Sequence, residues 1–271
     1  MSDAKRFGPA KAPAPRDEGD RYNVSAVARA LGVLQAFTYQ RPELSLTDIA
    51  AATGLHKATA FRLLTTLSGG GMIIKDPRTG LYRLGFTLIA LSEVAKTSTG
   101  FVAQARPFMR QIRDDLNETV YIAVRVGDDR INLDQLEGIR DFRRVVALGK
   151  PSPLYVGSTS HVILASLPDQ EIAAYFNRTE FVAPFPGAKV DAAILWDAVA
   201  SVRRDGYAET HNKRLDEGAS ISGLVRGAGN QTMGALTISI PIMRYSGAVR
   251  ARAITAVTAA AQALSRQLGA Y

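Results

Sequence analysis

The chain has 271 residues, 46% of them hydrophobic and 21% charged, enough for one large domain or two smaller ones with cores of their own. Its net charge of +8 favours a polyanionic partner, and the excess is denser toward the N-terminus, where residues 1–85 hold 12 Lys and Arg against 7 Asp and Glu. No run approaches a membrane span, the N-terminus lacks a secretory signal's apolar stretch, cysteine is absent and only His56, His161 and His211 occur, which argues against a membrane protein, a disulfide scaffold and a structural zinc site and suits a cytoplasmic protein.

Residues 1–20, rich in Pro, Ala, Lys and Arg without periodicity, read as a disordered basic arm. From there Val24, Val27, Leu31, Leu34 and Phe37 recur at helical spacing, and Arg41-Pro42 ends that helix. Leu46, Ile49 and Ala50 share one face of a second, short helix that stops at Thr53-Gly54. A third helix follows almost at once, from about His56 to Ser68, with Ala60, Leu63, Leu64 and Leu67 inward and Lys57, Thr59, Arg62 and Thr65 outward. Two short helices joined by a tight glycine-containing turn form a helix-turn-helix, whose second helix enters a DNA major groove. Any two amphipathic helices around a glycine share that pattern, but the hairpin that follows favours DNA. Strands over 72–75 and 81–84, joined by the turn Asp76-Pro77-Arg78-Thr79-Gly80, make a wing that places Arg78 and Arg83 to reach phosphate or the minor groove. A winged helix-turn-helix is therefore predicted over 21–85.

Phe86, Ile89, Ala90 and Val94, with Leu88 and Leu91 widening the stripe, predict a linker helix within 86–100 that packs on something besides its own domain. A second domain, 101–271, opens with an amphipathic helix over 101–118 that turns Val102, Ala105, Phe108, Met109, Ile112 and Leu116 inward. Strands are predicted over 119–126, 131–136 and 142–148, with Gly127-Asp128-Asp129 as the first turn. Helices over 160–167, 169–176 and 191–205 follow, the last carrying Ile194, Leu195, Ala198 and Val202. Strands over 220–225 and 234–240 and an Ala-rich helix over 248–268 complete it. Helices flanking a mostly antiparallel sheet make an α+β domain.

The stretches Ala28-Arg29-Ala30-Leu31, Leu44-Ser45-Leu46, Thr53-Gly54-Leu55-His56-Lys57-Ala58-Thr59, Arg62-Leu63-Leu64 and Tyr82-Arg83-Leu84-Gly85 together resemble the IclR family of bacterial transcriptional regulators, from about Val24 to the C-terminus. The resemblance implies a GAF/PAS-like effector-binding domain after the winged helix, and a linker helix that contributes to dimer contacts. It implies a ligand-responsive regulator, repressor or activator, that acts as a homodimer or a dimer of dimers on a palindromic double-stranded operator.

Nothing in the sequence asks for a cofactor or marks an enzyme: no nucleophile elbow, Walker loop, His-Glu-x-x-His or dinucleotide fingerprint is present. A ligand site has more behind it. Pro153 to His161 runs into a helix near Ser158, and a helix start offers unpaired N–H groups and partial positive charge to a carboxylate, with Ser158 and Thr159 adding hydroxyls. The plainer alternative is that Ser158 only caps the helix. In the resembled family this loop holds an acidic effector and carries Gly-Lys where this chain has Ser160-His161. The resemblance also aligns Ser220 with a family cysteine, Thr237 and Ser239 with ligand-facing positions, and Thr210 and His211 with acidic residues, Asp216-Glu217-Gly218 being a possible small insertion. Leu148, Leu154 and Tyr155 would form an apolar wall suited to an aromatic or branched acid. The competing expectation is a metabolite-binding module or enzyme whose winged helix mediates protein contacts.

Overall fold

The computed structural model describes residues 24–98, 100–183, 189–211 and 218–270. The basic arm 1–20 and the Asp216-Glu217 position lie outside those residues. The chain forms two compact units that divide after Ser98.

The first unit runs α1 (Ser25–Gln35), β1 (Glu43–Leu44), α2 (Leu46–Thr53), α3 (Lys57–Gly69), β2 (Ile73–Lys75), β3 (Tyr82–Leu84) and α4 (Thr87–Ser98). Its core is small: Val33, Phe37, Leu44, Ile49, Ala50, Ala60, Leu64, Ile73 and Tyr82. α2 starts on a reciprocal cap in which the Asp48 N–H donates to Ser45 Oγ (3.1 Å) and the Ser45 N–H to Asp48 Oδ2 (3.1 Å), satisfying two donors that a helix start leaves open. It ends at Gly54, whose φ of 69° lets the chain turn straight into α3. The wing is an antiparallel sheet of order β1-β3-β2, so Glu43–Leu44 adds a strand that the sequence did not suggest. At its tip Asp76 Oδ1 accepts the Arg78 N–H (2.7 Å). Its base closes where Gly85 meets Gly71, since a Cβ on Gly85 would stand 2.0 Å from the Gly71 carbonyl oxygen.

The helix read from Val24 onward forms as α1, and its apolar stripe is covered only toward one end. Val33 is buried, yet Val24, Val27 and Leu31 are exposed, at 62%, 55% and 53%. An 11-residue helix is about 16 Å long, and the small α2–α3 core covers only its last turns. On α4 and just before it, Phe86, Ile89 and Val94 are likewise exposed.

The second unit runs α5 (Phe101–Leu116), β4 (Thr119–Val126), β5 (Asp129–Leu136), β6 (Pro151–Pro153), α6 (Gly157–Ala165), α7 (Asp169–Arg178), α8 (Ala192–Asp205), β7 (Tyr207–His211), β8 (Gly218–Arg226), β9 (Thr232–Pro241) and α9 (Gly247–Gln267). The strands form one antiparallel sheet of order β6-β5-β4-β9-β8-β7. α5 and α9 cover one face, packing Ala105, Met109, Ile112, Val257 and Leu264 on Val120, Ile122, Ile221, Leu236 and Ile238. α6, α7 and α8 cover the other, where Leu154, Ile163, Ile172, Tyr175, Leu195 and Val199 form a second core. Val199, not Ala198, is the buried residue of α8 beside Leu195 and Val202, and Ile194 is exposed.

The strand expected over 142–148 is not formed. β-branched residues there suggested a strand, but side chains of β5 take the place of a ladder: Gln135 Oε1 accepts the Val146 N–H (2.9 Å) and Asn132 Nδ2 donates to the Ala147 carbonyl (3.1 Å). The short strand 151–153 pairs with β5 instead, opposite Asp129–Ile131. The turn before β5 is Gly127-Asp128 alone, with Gly127 at φ 62° and Asp129 already in the strand.

Candidate functional site

The first candidate surface is the outer face of α3 together with the wing. Lys57, Arg62 and Thr65 are exposed on α3, Thr59 is half-buried, and Arg78 and Arg83 are exposed on the wing tip and β3. The Thr65 hydroxyl donates to the Phe61 carbonyl (3.0 Å), leaving its oxygen lone pairs outward. Phe61, which the sequence reading passed over, is 49% exposed and lies one turn from both Lys57 and Thr65. That i, i+4 spacing was the signal for it. A half-exposed aromatic beside Lys57 and Arg62 suits a groove that offers thymine methyls beside phosphates.

The second candidate site lies between α6 and the sheet. Antiparallel partners share a face, so register alone lines up Thr119, Ser239, Ser220 and Thr210 in one row across β4, β9, β8 and β7, and Tyr121, Thr237 and Ser222 in the next. The start of α6 meets these rows. Ser158 Oγ lies 2.8 Å from Ser222 Oγ, Ser222 Oγ 2.8 Å from Thr237 Oγ1, Thr237 Oγ1 3.0 Å from Thr159 Oγ1, and Thr159 Oγ1 2.9 Å from Tyr121 Oη. The Ser158 N–H donates to Thr210 Oγ1 (3.1 Å), and Ser220 and Ser239 face each other at 3.5 Å. Ser158, Thr159, Ser222, Thr237 and Ser239 are all buried.

The helix-cap alternative for Ser158 does not hold: the N-cap is Val156, without a side-chain cap bond, and the Ser158 hydroxyl turns to the sheet. Each hydroxyl has one donor and two acceptor sites, so any member can rotate from its neighbour to a ligand oxygen. On the same helix Ser160 Oγ accepts Arg130 Nε (3.0 Å) and donates to the Pro153 carbonyl (3.0 Å), which ties α6 to β5 and β6. Burial pushes the His161 imidazole down, so it is neutral at neutral pH and adds no cation.

The structure thus brings Ser158, Thr159, Thr210, Ser220, Thr237 and Ser239 together. It does not bring His211. Tyr207, Glu209 and His211 alternate onto the α9 face, where His211 Nε2 lies 2.6 Å from Glu209 Oε1 and its ring stands edge-on to Tyr245. Leu154 and Tyr155 are buried in the α6–α8 core, the Tyr155 hydroxyl accepting the Val182 N–H (3.2 Å), and Leu148 is 36% exposed and joins neither core. Tyr121 and Thr119 went unread; alternation along β4 was the available signal. A separate cleft of about 430 Å³ opens at the other end of α6, near Arg203, Arg226 and Arg266. Arg203 there donates to the Ala165 and Leu167 carbonyls, as cations do at helix C-termini.

A winged helix-turn-helix with a cationic recognition face, followed by an α+β unit of GAF-like build, defines a DNA-binding transcriptional regulator. The comparisons narrow the class. Residues 94–266 match the family model described as "Bacterial transcriptional regulator IclR C-terminal", and residues 26–77 match the IclR helix-turn-helix domain. The chain belongs to the IclR family. It is 26% identical over 246 residues to the HTH-type transcriptional regulator XynR of Escherichia coli, covering 91% of this chain and 98% of that one. An IclR transcriptional regulator from Alicyclobacillus acidocaldarius superposes with a TM-score of 0.79 at 25% identity, covering 92% of this chain and all of that one. An IclR homologue from Microbacterium hydrocarbonoxydans, solved in complex with 4-hydroxybenzoate, has a TM-score of 0.72 at 19% identity, covering 89% and 99%. Among the described residues no helix is long and apolar enough to cross a membrane.

Proposed function

We propose that this regulator senses a small organic acid, aromatic in character, at the hydroxyl cluster between α6 and the sheet, and that the acid alters DNA binding or activation by the winged helix. The observation that carries this reading is the buried row Ser158–Ser222–Thr237–Thr159–Tyr121, laid against a helix start that has no side-chain cap. Hydroxyls that bond only one another satisfy a core at the cost of hydrophobic burial; hydroxyls gathered at a helix N-terminus also suit a carboxylate, through N–H groups and partial positive charge. The structural neighbour that holds 4-hydroxybenzoate supports an acid of this type.

In this reading Lys57, Arg62, Thr65 and Phe61 meet base edges while Arg78 and Arg83 meet phosphate. Thr59, half-buried, positions the start of α3. Coupling requires that the acid bind the DNA-competent and the other state with different affinity. Melting the full chain against benzoate, 4-hydroxybenzoate, protocatechuate and short aliphatic acids tests it, because a ligand of the folded state raises the melting temperature. Thr159→Val and Ser220→Ala should each weaken the stabilising acid about ten- to a hundredfold while acid-free DNA binding holds. Undiminished acid binding in both variants would place the carboxylate elsewhere.

A further inference from the structure

The hydroxyl rows and the start of α6 are neutral or only partly charged, and the neutral His161 adds nothing, so the effector site described above lacks a full positive charge from those residues. Two arginines stand next to it: Arg130, whose Nε and Nη1 donate to Ser160 Oγ (3.0 Å) and Asn132 Oδ1 (2.6 Å), and Arg144. The segment after β5 is drawn across the sheet by three bonds: Thr119 Oγ1 donates to the Arg144 carbonyl, Val146 N–H to Gln135, and Asn132 to the Ala147 carbonyl. Thr119 is itself the first member of the Thr119–Ser239–Ser220–Thr210 row. The Arg144 side chain consequently lies over Gly218: a Cβ built there would stand 3.1 Å from Arg144 Nε and 3.4 Å from its Cδ. Gly218 and Ser220 are two apart on β8 and face the same side, one pleat repeat of about 7 Å along the strand. Gly218 is buried and Arg144 half-buried, so the side chain reaches inward over the sheet.

We propose that Arg144 is a specificity residue of the effector site, supplying the full charge that a carboxylate prefers and that Ser160-His161 does not. The inference rests on the effector reading. A guanidinium offers five N–H donors, so a protein partner on one edge leaves another edge for a bidentate carboxylate. Gly218 is then glycine because the guanidinium stem occupies the space a side chain would fill. The site discriminates by charge: it takes an acid and refuses the isosteric amide.

The test is calorimetry on the full chain with benzoate, 4-hydroxybenzoate and protocatechuate, each beside its neutral amide. Wild type should bind one acid at least tenfold more tightly than its amide. Arg144→Met should lose about ten- to a hundredfold toward that acid with little change toward the amide. Arg144→Lys should recover part of the preference, and Gly218→Ala, which crowds the guanidinium, should reduce it. Gly218→Ala and Arg144→Lys keep the question answerable if the methionine variant fails to fold. An unchanged acid-to-amide ratio in Arg144→Met, or in Arg144→Lys and Gly218→Ala together, overturns the assignment. If Thr159→Val weakens the acid in that event, the effector site itself still stands. Wild type that binds none of the three acids overturns both readings at once.

Discussion

At the residue scale the second unit is pinned by charges that no local pattern announces. The Glu118 side chain is 1% exposed and takes Arg244 Nη2 at 2.7 Å and Arg140 Nη1 at 2.9 Å, joining the start of β4 to the segments after β5 and β9. Glu118→Gln leaves two guanidinium groups against a neutral amide, and denaturant unfolding should show a loss of roughly 3 kcal/mol or more. Glu209 is a gentler case. Burial pushes its carboxyl up, but hydrogen bonds from Arg250, Tyr245 and His211 outweigh burial and hold it at about 2. A depressed carboxyl stabilises the fold above its unfolded value, and that contribution is lost as pH falls through the range from about 4.5 to 2. Glu209→Gln should flatten the acid limb of a pH–melting curve between those values; an unaltered limb would show that other groups dominate. On α3, Arg62→Ala should cost roughly 1–3 kcal/mol of operator binding and relax one base position, while Arg78→Ala should weaken all sequences alike and flatten the salt slope by about one unit. Selection from random duplexes, repeated at several salt concentrations, separates the two effects. Thr159 was legible because it stands beside a helix start, whereas Thr237 came only from the family resemblance. His211 was misplaced because parity along a strand assigns the face, and a reading off by one residue sends a side chain to the opposite side.

At the element scale local chemistry was readable where it is self-contained. Helices α2 and α3 and the wing followed from spacing, from Gly54 and from the Asp76–Gly80 turn, since each needs only residues a few positions apart. The expected strand over 142–148 failed for the opposite reason. Val145 and Val146 have strand propensity, but a ladder requires open backbone groups on a neighbour, and Asn132 and Gln135 fasten the segment through side chains. Strand β7 escaped notice because Glu209, Thr210 and His211 break the apolar alternation, although its partner β8 makes it an edge. The close approach that seals the base of the wing, Gly85 against Gly71, can be tested. Gly85→Ala would drive a Cβ to 2.0 Å from the Gly71 carbonyl oxygen, which is backbone and cannot swing aside. Displacing the wing should cost roughly 1–3 kcal/mol, and DNA affinity should fall even for duplexes that Arg62 does not read. Near-wild-type DNA binding by a folded Gly85→Ala chain would mean that the wing takes no part in gripping phosphate.

At the scale of the whole molecule, composition and surface converge on symmetry. The net charge of +8 suits a polyanion, and one helix-turn-helix per chain reads only one half-site. Val24, Val27 and Leu31 on and beside α1, and Phe86, Ile89 and Val94 on and beside α4, are all more than half exposed, which is unusual for so many large apolar side chains in two short stretches. Apolar surface of this kind marks association, and a closed pair of identical chains is the commonest way to cover it. A pair formed in this way would have a two-fold axis, and its DNA site would have to mirror that axis. Footprinting should therefore show two inverted half-sites about one helical turn apart, roughly 34–36 Å from centre to centre or a multiple of that. Leu31→Glu together with Val94→Glu places charges where a partner's apolar surface would be. Sedimentation should then shift toward the single chain, and operator affinity should drop far more than affinity for an isolated half-site. The half-site arm matters because a folded single chain keeps its α3 and wing, so loss there would report damage to the winged helix. A wild-type chain that sediments as a monomer and protects one unrepeated half-site would refute the symmetric arrangement.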